Sequence, residues 1–172
     1  LQQNNAQATF FVLGLHVERY PALIKDIQNH GHEIGSHGFS HNIKKYNDAK
    51  FARSDVQQSL EVIALSTGVR PHLLRPPGGF LSRDLVKYCQ EEKLTIISWT
   101  WKADYKDWKA TNSSLLAQQI VAGVEPGQII LLHDGGENRQ VMINALSRAL
   151  PELSELGYRC VTVSELLALK NK

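Results

Sequence analysis

Two histidines near residue 40 have a spacing that suits a metal site. His37 and His41 lie four residues apart, directly after a short apolar segment. If the chain turns helically there, both rings lie on one face and their nitrogens can converge on one metal ion. Histidines at this spacing also occur in ordinary solvated loops, and this reading is the commoner one for an isolated pair. The spacing alone therefore leaves both interpretations open.

A third histidine and a carboxylate pair follow two other apolar runs. His133 directly follows the apolar run 129–132, and two glycines come shortly after it. An imidazole at such a position could exchange a proton, because this type of ring titrates near neutral pH. Asp104 and Asp107 follow an earlier run and adjoin Trp108. A carboxylate there could orient a histidine, and the indole could wall an apolar pocket. The alternatives are a core histidine and a capped surface loop.

Arg75 precedes a rigid Pro-Pro-Gly-Gly turn. An arginine held in this way can bind a carboxylate through two parallel hydrogen bonds. The backbone N–H of Gly78 could stabilise an oxyanion. The alternative is a stiff connection without a function of its own.

Apolar runs alternate with segments of helical period throughout the chain. We predict strands at 8–13, 33–35, 72–75, 94–101, 128–132 and 158–163, and helices at 17–30, 48–66, 82–92, 113–122, 138–156 and 165–170. This alternation predicts a parallel α/β sheet or barrel. In such folds the active site lies at the carboxyl ends of the strands, which is where the residues named above fall.

Composition restricts the class of protein. The 172 residues are 42% hydrophobic, which suits one domain with a sizeable core. A net charge of +2 is too even to indicate a nucleic-acid partner, and no apolar run is long enough for a transmembrane segment. Two cysteines are too few for a disulfide scaffold or a cysteine-rich zinc site.

Taken in order along the chain, the motifs resemble the polysaccharide deacetylase family, which is the NodB-homology domain or carbohydrate esterase family 4. The resemblance covers essentially the whole chain. It is carried by the segment 8–14, Ser36-His37 with His41, Arg75-Pro76-Pro77-Gly78-Gly79, Asp107-Trp108 and Leu131-Leu132-His133-Asp134. It implies an α/β fold of the distorted (β/α)-barrel type and metal-dependent removal of acetyl groups from amino sugars or sugar esters.

The resemblance also implies roles for individual residues. His37 and His41 would be metal ligands, for zinc first and for cobalt or nickel as alternatives. His133 would be the general acid that protonates the leaving amine, and Asp107 would orient it and keep it protonated. The remaining roles are a tether for the catalytic base at Arg75, an oxyanion donor at the Gly78 N–H, and a pocket for the acetyl methyl group lined by Trp108 and Leu131.

The chain departs from the family pattern at three points. The first motif, Thr-Phe-Asp-Asp-Gly, would supply the catalytic base and a third metal ligand, and no Asp-Asp pair occurs in these residues. Gly38 replaces the usual Ser or Thr, and Gly78 replaces a common Tyr. We therefore expect a single deacetylase domain over 1–172 that is N-terminally incomplete, lacks its first strand and is inactive alone. The alternative is a non-catalytic relative that binds glycan through its aromatic side chains, Trp101, Tyr105 and Trp108.

Family resemblance alone suggests the partner and the location. The expected partner is an acetylated polysaccharide or oligosaccharide, with N-acetylglucosamine units of peptidoglycan or a chitin-like polymer favoured and acetylxylan also compatible. The expected location is extracellular or associated with the cell envelope.

Overall fold

A computed structural model of the chain describes residues 1–136 and 139–170. The chain divides into two compact units, Thr9–Ser98 and a second one formed by Leu1–Ala8 with Trp99–Lys172. We refer to these as the sheet unit and the helical unit. That the whole chain acts as a single domain stays a prediction.

The sheet unit contains a parallel sheet of four strands in the order of the sequence. The strands are β1 (Thr9–Val12), β2 (Glu33–Ser36), β3 (Leu73–Leu74) and β4 (Thr95–Ile96). Val12 pairs with Ser36 and Ser36 pairs with Leu74, so the carboxyl ends of the first three strands share one edge. Three of these strands fall inside predicted ones, and β2 extends one residue beyond the predicted 33–35; β3 and β4 are shorter than expected.

Four helices connect and cover these strands. They are α1 (Gly14–Arg19), α2 (Pro21–Asn29), α3 (Ala49–Thr67) and α4 (Arg83–Glu91). The prediction of one helix over 17–30 is wrong, because the helix breaks at Tyr20. A residue that precedes proline is driven away from helical geometry, and Tyr20 has φ −131° and ψ 53°.

Helix α3 is the main support of the sheet unit. The Asp48 carboxylate accepts hydrogen bonds from the first-turn N–H groups of Lys50 and Phe51, and Gly68 ends the helix with φ 75°. Its apolar stripe joins a core with residues of the sheet and of α4. The fully buried members of this core include Tyr46, Val56, Leu60, Leu74, Leu85 and Cys89.

The helical unit is built around α5 (Ser113–Gly123) and α6 (Gln140–Glu155), followed by α7 (Val163–Lys170). The Asn112 side chain caps α5 by accepting a hydrogen bond from the Leu115 N–H. The predicted start of the second of these helices, 138, lies outside the described residues. Apolar side chains of α5 and α6 form the core, namely Leu116, Ala117, Ile120, Ala145, Ala149 and Leu153.

Two predicted strands of the helical unit are wrong. The segment 128–132 makes only one isolated parallel bridge, between Leu131 and Asp104. The hydroxyl of Thr100, not a backbone carbonyl, accepts the Ile129 N–H at 2.9 Å, and this interrupts regular strand pairing. The segment 158–163 likewise forms no described strand, and α7 already begins at Val163.

None of the helices in the described ranges combines the length and the apolar character needed to cross a membrane.

Candidate active site

His37 and His41 lie immediately beyond the carboxyl end of β2. Their ring centroids are 5.1 Å apart and the ring planes are inclined by 52°. The expected helical turn is wrong, because 37–41 form an irregular loop. A different local structure therefore brings the two rings together.

That local structure is a loop wrapped around the buried carboxylate of Asp55 on α3. The Phe39 N–H donates to Oδ2 at 2.8 Å, and the Ser40 N–H and hydroxyl donate to Oδ1 at 3.1 and 2.6 Å. The Tyr46 hydroxyl donates to Oδ2 at 2.6 Å. We call 37–41 the histidine loop. The two oxygens of the Asp55 carboxylate thus hold the middle of the histidine loop in place.

Backbone groups at the start of the histidine loop are also paired. The His37 N–H donates to the Val12 carbonyl at 2.9 Å, and the Gly38 N–H donates to the Ser36 hydroxyl at 3.2 Å. The first N–H of α1, on Gly14, donates to the Gly38 carbonyl at 3.0 Å. A loop whose backbone groups are paired in this way has few alternative conformations at low cost.

Gly38 is explained by this packing. Its φ of +75° is in the region that favours glycine. A Cβ atom at this position would overlap the Tyr46 hydroxyl and the Asp55 carboxylate. The Tyr46 hydroxyl thus occupies the space that a side chain at 38 would need, which accounts for the departure from the usual Ser or Thr.

The tautomer of His37 follows from its partner. Its Nδ1 lies 2.5 Å from the backbone carbonyl oxygen of Arg75, and a carbonyl can only accept. Nδ1 therefore carries the proton, and Nε2 has the electron pair that a metal needs. His41 is solvent-exposed and has a φ of +56°, a conformation that costs free energy for a non-glycine residue.

The two imidazoles are suitable ligands for a zinc-type metal, but they supply only part of the coordination that such a metal needs. Two imidazoles are ligands typical of zinc or cobalt, and a catalytic zinc site has three protein ligands. Among 1–136 and 139–170, no group of three or more His, Cys, Asp or Glu side chains is arranged to hold a metal. His37 and His41 therefore fit as two ligands of a larger set.

Arg75 is a buried cation beneath this edge of the sheet, with 9% of its surface exposed. Its guanidinium donates to the Ser98 carbonyl at 3.0 Å and lies 4.2 Å above the Phe11 ring. Burial lowers the pKa of Arg75 to about 10, so the side chain stays charged at neutral pH. Within the described parts of the chain no carboxylate forms an ion pair with it. Its role as a tether for the base stays a prediction.

Gly78 lies in the one-turn 3₁₀ segment Pro77–Gly79 after β3. It is exposed and has a φ of +63°. The side chain of Ile43 lies beside the place that a Cβ at 78 would occupy. The structure therefore explains the glycine by backbone conformation, and its role as an oxyanion donor stays a prediction.

In the helical unit, Asp107 holds His133 by two hydrogen bonds. Its Oδ1 lies 2.8 Å from His133 Nδ1, and its Oδ2 accepts the His133 backbone N–H at 2.9 Å. The Asp107 side chain is 0% exposed, whereas that of His133 is 40% exposed. A carboxylate accepts, so Nδ1 carries a proton, and the role of His133 as general acid stays a prediction.

The loop that carries Asp107 is fixed by its neighbours in sequence. The Asp104 carboxylate accepts the Lys106 N–H at 3.0 Å, and Lys106 has a φ of +51°. This tight turn starts the 3₁₀ segment Asp107–Lys109. Leu131, which is buried, bridges to Asp104 and so places His133 two residues later. The two carboxylates thus have different tasks: one shapes the loop and the other holds the histidine.

The aromatic residues of this loop are exposed to different degrees. Trp108 is 50% exposed and has the Lys109 ammonium 4.5 Å from its ring centre. Trp101 is 86% exposed. The lining of an acetyl pocket by Trp108 and Leu131 stays a prediction.

Asp55 and Tyr46 are the site residues that the sequence analysis missed. A signal was present, because Asp55 interrupts the apolar stripe of α3 between Ala52 and Val56. A charged residue on the buried face of a helix needs partners, and here those partners are the histidine loop.

Comparison with known proteins identifies the family. The family model described as polysaccharide deacetylase matches residues 1–97. A peptidoglycan-N-acetylglucosamine deacetylase from Bacillus cereus is 36% identical over 99% of this chain and 80% of its own length. The chain belongs to the polysaccharide deacetylase family. It spans less of other relatives, for example 35% of a peptidoglycan-N-acetylglucosamine deacetylase from Listeria monocytogenes.

Solved structures of the family agree with this assignment. Peptidoglycan deacetylase PdaC from Bacillus subtilis matches with a TM-score of 0.89 at 30% identity, over 99% of this chain and 81% of that one. A family 4 acetyl xylan esterase from Clostridium thermocellum with a cobalt ion matches at 0.88 and 31%, over 99% and 82%. A CE4 family pseudoenzyme from Bacillus anthracis matches at 0.87 and 28%, over 97% and 57%. The predicted fold class, α/β of the distorted (β/α)-barrel NodB type, is confirmed, as is the enzyme class at the level of the family.

Proposed function

We propose that the protein that contains this chain removes acetyl groups from N-acetylglucosamine units of a cell-wall polysaccharide. The observation that carries this proposal is the fully buried Asp107 bound to both the ring and the backbone N–H of His133. A glycan-binding surface does not need a proton donor with its own orienting carboxylate, whereas amide hydrolysis does. An amine anion is a very poor leaving group, so the departing nitrogen must receive a proton.

His37 and His41 would hold a divalent metal, with zinc favoured and cobalt or nickel as alternatives. When bound, such an ion polarises the acetyl carbonyl and lowers the pKa of water. The backbone carbonyl of Arg75 accepts from His37 Nδ1, so Nε2 would be the nitrogen that binds the metal. The relative that contains a cobalt ion supports a divalent metal in this family.

The other residues have binding and orienting roles in this proposal. His133 gives a proton from Nε2 to the leaving amine while Asp107 holds Nδ1–H. Arg75 would orient a carboxylate that takes the proton of the attacking water; this base is not identified among the described residues. The Gly78 N–H would donate to the oxyanion. Trp108 and Leu131 contact the acetyl methyl group and exclude water from it.

The names of relatives support the proposed substrate. Two relatives are named as peptidoglycan-N-acetylglucosamine deacetylases, and another match is an acetyl xylan esterase. Peptidoglycan is therefore the favoured substrate, with chitin-like oligosaccharides next. A protein that acts on peptidoglycan works at the cell envelope or outside the cell, and we propose that location.

Acetate release tests this function. The full-length gene product, supplied with zinc or cobalt, is incubated with peptidoglycan, a chitooligosaccharide and acetylxylan in parallel. We expect release from the N-acetylated polymers, fastest with peptidoglycan, and its loss on chelation. Release from acetylxylan alone would overturn the substrate assignment, and release that survives chelation would overturn the metal requirement.

A non-catalytic glycan-binding role is the second candidate. It is favoured by the match to a CE4 family pseudoenzyme and by the 86% exposure of Trp101, a side chain that could stack on a sugar ring. Binding of a chitooligosaccharide without acetate release, together with loss of binding in Trp101→Ala, would establish it in place of the enzyme.

A further inference from the structure

We infer that Asp55 is the positioning residue of the metal site, because its carboxylate sets the distance and orientation of His37 and His41. This inference rests on the proposed function, since it assigns a purpose to the two histidines. Asp55 itself is not a proposed ligand. It acts through the histidine loop.

The donors that converge on Asp55 come from the residues between the two histidines. Phe39 contributes its N–H, and Ser40 contributes its N–H and its hydroxyl. His41 follows Ser40 directly, so any rotation of this peptide segment turns the His41 ring away from His37. The positive φ of His41 shows that the loop holds this residue in a costly conformation, and the bonds to Asp55 offset that cost.

Tyr46 completes the arrangement from the other end of the loop. It is fully buried and donates to Asp55 Oδ2, beside the Phe39 N–H. Burial, together with the hydrogen bond to Asp55, raises the pKa of Tyr46 far above its ordinary value, so the phenol keeps its proton. The hydroxyl also blocks the space at Gly38, so the start of the histidine loop cannot shift inward.

The chemistry of the donors requires a carboxylate and not merely a polar group. Oδ1 accepts two bonds from Ser40, and Oδ2 accepts one from Phe39 and one from Tyr46. An asparagine would present its NH₂ group to one of these pairs, and an N–H opposite another N–H cannot bond. The 19-residue helix α3 provides the rigid base that such a role needs.

The test compares two losses of a carboxylate on the same helix. Asp55→Asn removes the acceptor that holds the histidine loop. Asp48→Ala is the matched control, because it removes the carboxylate that caps α3. That carboxylate accepts hydrogen bonds from the exposed N–H groups of Lys50 and Phe51, which lie outside the histidine loop. Both variants are made in the full-length protein and measured below their melting temperatures.

Two measurements are made on each variant. One is the nuclear Overhauser effect between the His37 and His41 ring protons in the metal-free protein, since the rings are 5.1 Å apart. The other is the affinity for Co²⁺ from its visible absorption. We expect Asp55→Asn to lose the ring contact and to bind Co²⁺ at least tenfold more weakly, whereas Asp48→Ala lowers the melting temperature and keeps both within twofold.

An unchanged ring contact and affinity in folded Asp55→Asn would overturn the inference, as would equal losses in Asp48→Ala. If Asp55→Asn does not fold, Tyr46→Phe replaces it, since this change removes one of the donors and leaves the others. The same losses, smaller in size, are expected there, and their absence would overturn the inference. If the wild type binds no Co²⁺, the metal role in the proposed function fails, while the ring contact still decides whether Asp55 positions the histidines.

Discussion

At the scale of single residues, the two histidine sites differ in the partner of Nδ1. His37 has a neutral backbone carbonyl at this position, and His133 has the buried carboxylate of Asp107. Both partners can only accept, so each ring carries a proton on Nδ1. Under the proposed function, His37 would give the Nε2 electron pair to a metal, whereas His133 would give a proton from Nε2.

Replacement of Asp107 tests the acid. Asp107→Asn keeps the size of the side chain, but an amide can present an N–H to His133 Nδ1, so the ring is no longer held with its proton on that atom. We expect kcat to fall by about 10²–10³-fold. Asp104→Asn is the control, because this carboxylate belongs to the same loop and bonds to Lys106. An unchanged kcat in Asp107→Asn would disprove the assignment.

A pair of glycines with the same φ isolates the packing at the histidine loop. Gly38 and Gly68 both have φ +75°, but only Gly38 has neighbours where a Cβ would lie. Alanine at either position costs about 1–2 kcal/mol for the left-handed conformation. At Gly38 the overlap with Tyr46 and Asp55 adds about 1–3 kcal/mol. Urea denaturation of Gly38→Ala and Gly68→Ala measures this difference, and equal losses would show that Tyr46 and Asp55 can move aside.

At the scale of elements, local pattern predicted the helices better than the strands. The sequence signals of α3, the Asp48 cap and the Gly68 stop, act within a few residues, so its bounds could be predicted to within one residue. Strand pairing depends on partners that are distant in sequence. An apolar run such as 128–132 indicates burial. It does not reveal that the Ile129 N–H donates to the Thr100 hydroxyl and not to a backbone carbonyl of a neighbouring strand.

The Thr100 hydroxyl provides a test at this scale. Thr100→Val keeps the shape of the side chain and leaves the Ile129 N–H without its acceptor, which should cost about 1–2 kcal/mol. Thr100→Ser keeps the hydroxyl and serves as the control. The free energy of unfolding from urea titration, with amide exchange at Ile129, measures both variants. Equal stability of the two would show that water or another group replaces the hydroxyl.

At the scale of the whole molecule, the residues to which we assign chemistry come from both units. His37 and His41 belong to the sheet unit, whereas Asp107 and His133 belong to the helical unit. The family resemblance could suggest a role for each of these four residues, because the order of the motifs is visible in the sequence without any knowledge of three-dimensional contacts. It could not indicate Asp55, because that carboxylate is 15 residues from Ser40 in sequence and meets it only in the folded chain.

Because different residues are proposed for metal binding and for proton transfer, we expect that each property can be lost without the other. His37→Ala removes a ligand, so both metal content and acetate release should fall to background. His133→Gln removes the acid but no ligand, so metal content should stay within about 20% of wild type while kcat falls by about 10²–10⁴-fold, the usual contribution of a general acid. Elemental analysis and acetate release on the same preparations of the full-length protein measure both properties. Loss of metal in His133→Gln would mean that this histidine is itself a ligand, and unchanged metal content in His37→Ala would remove His37 from the site.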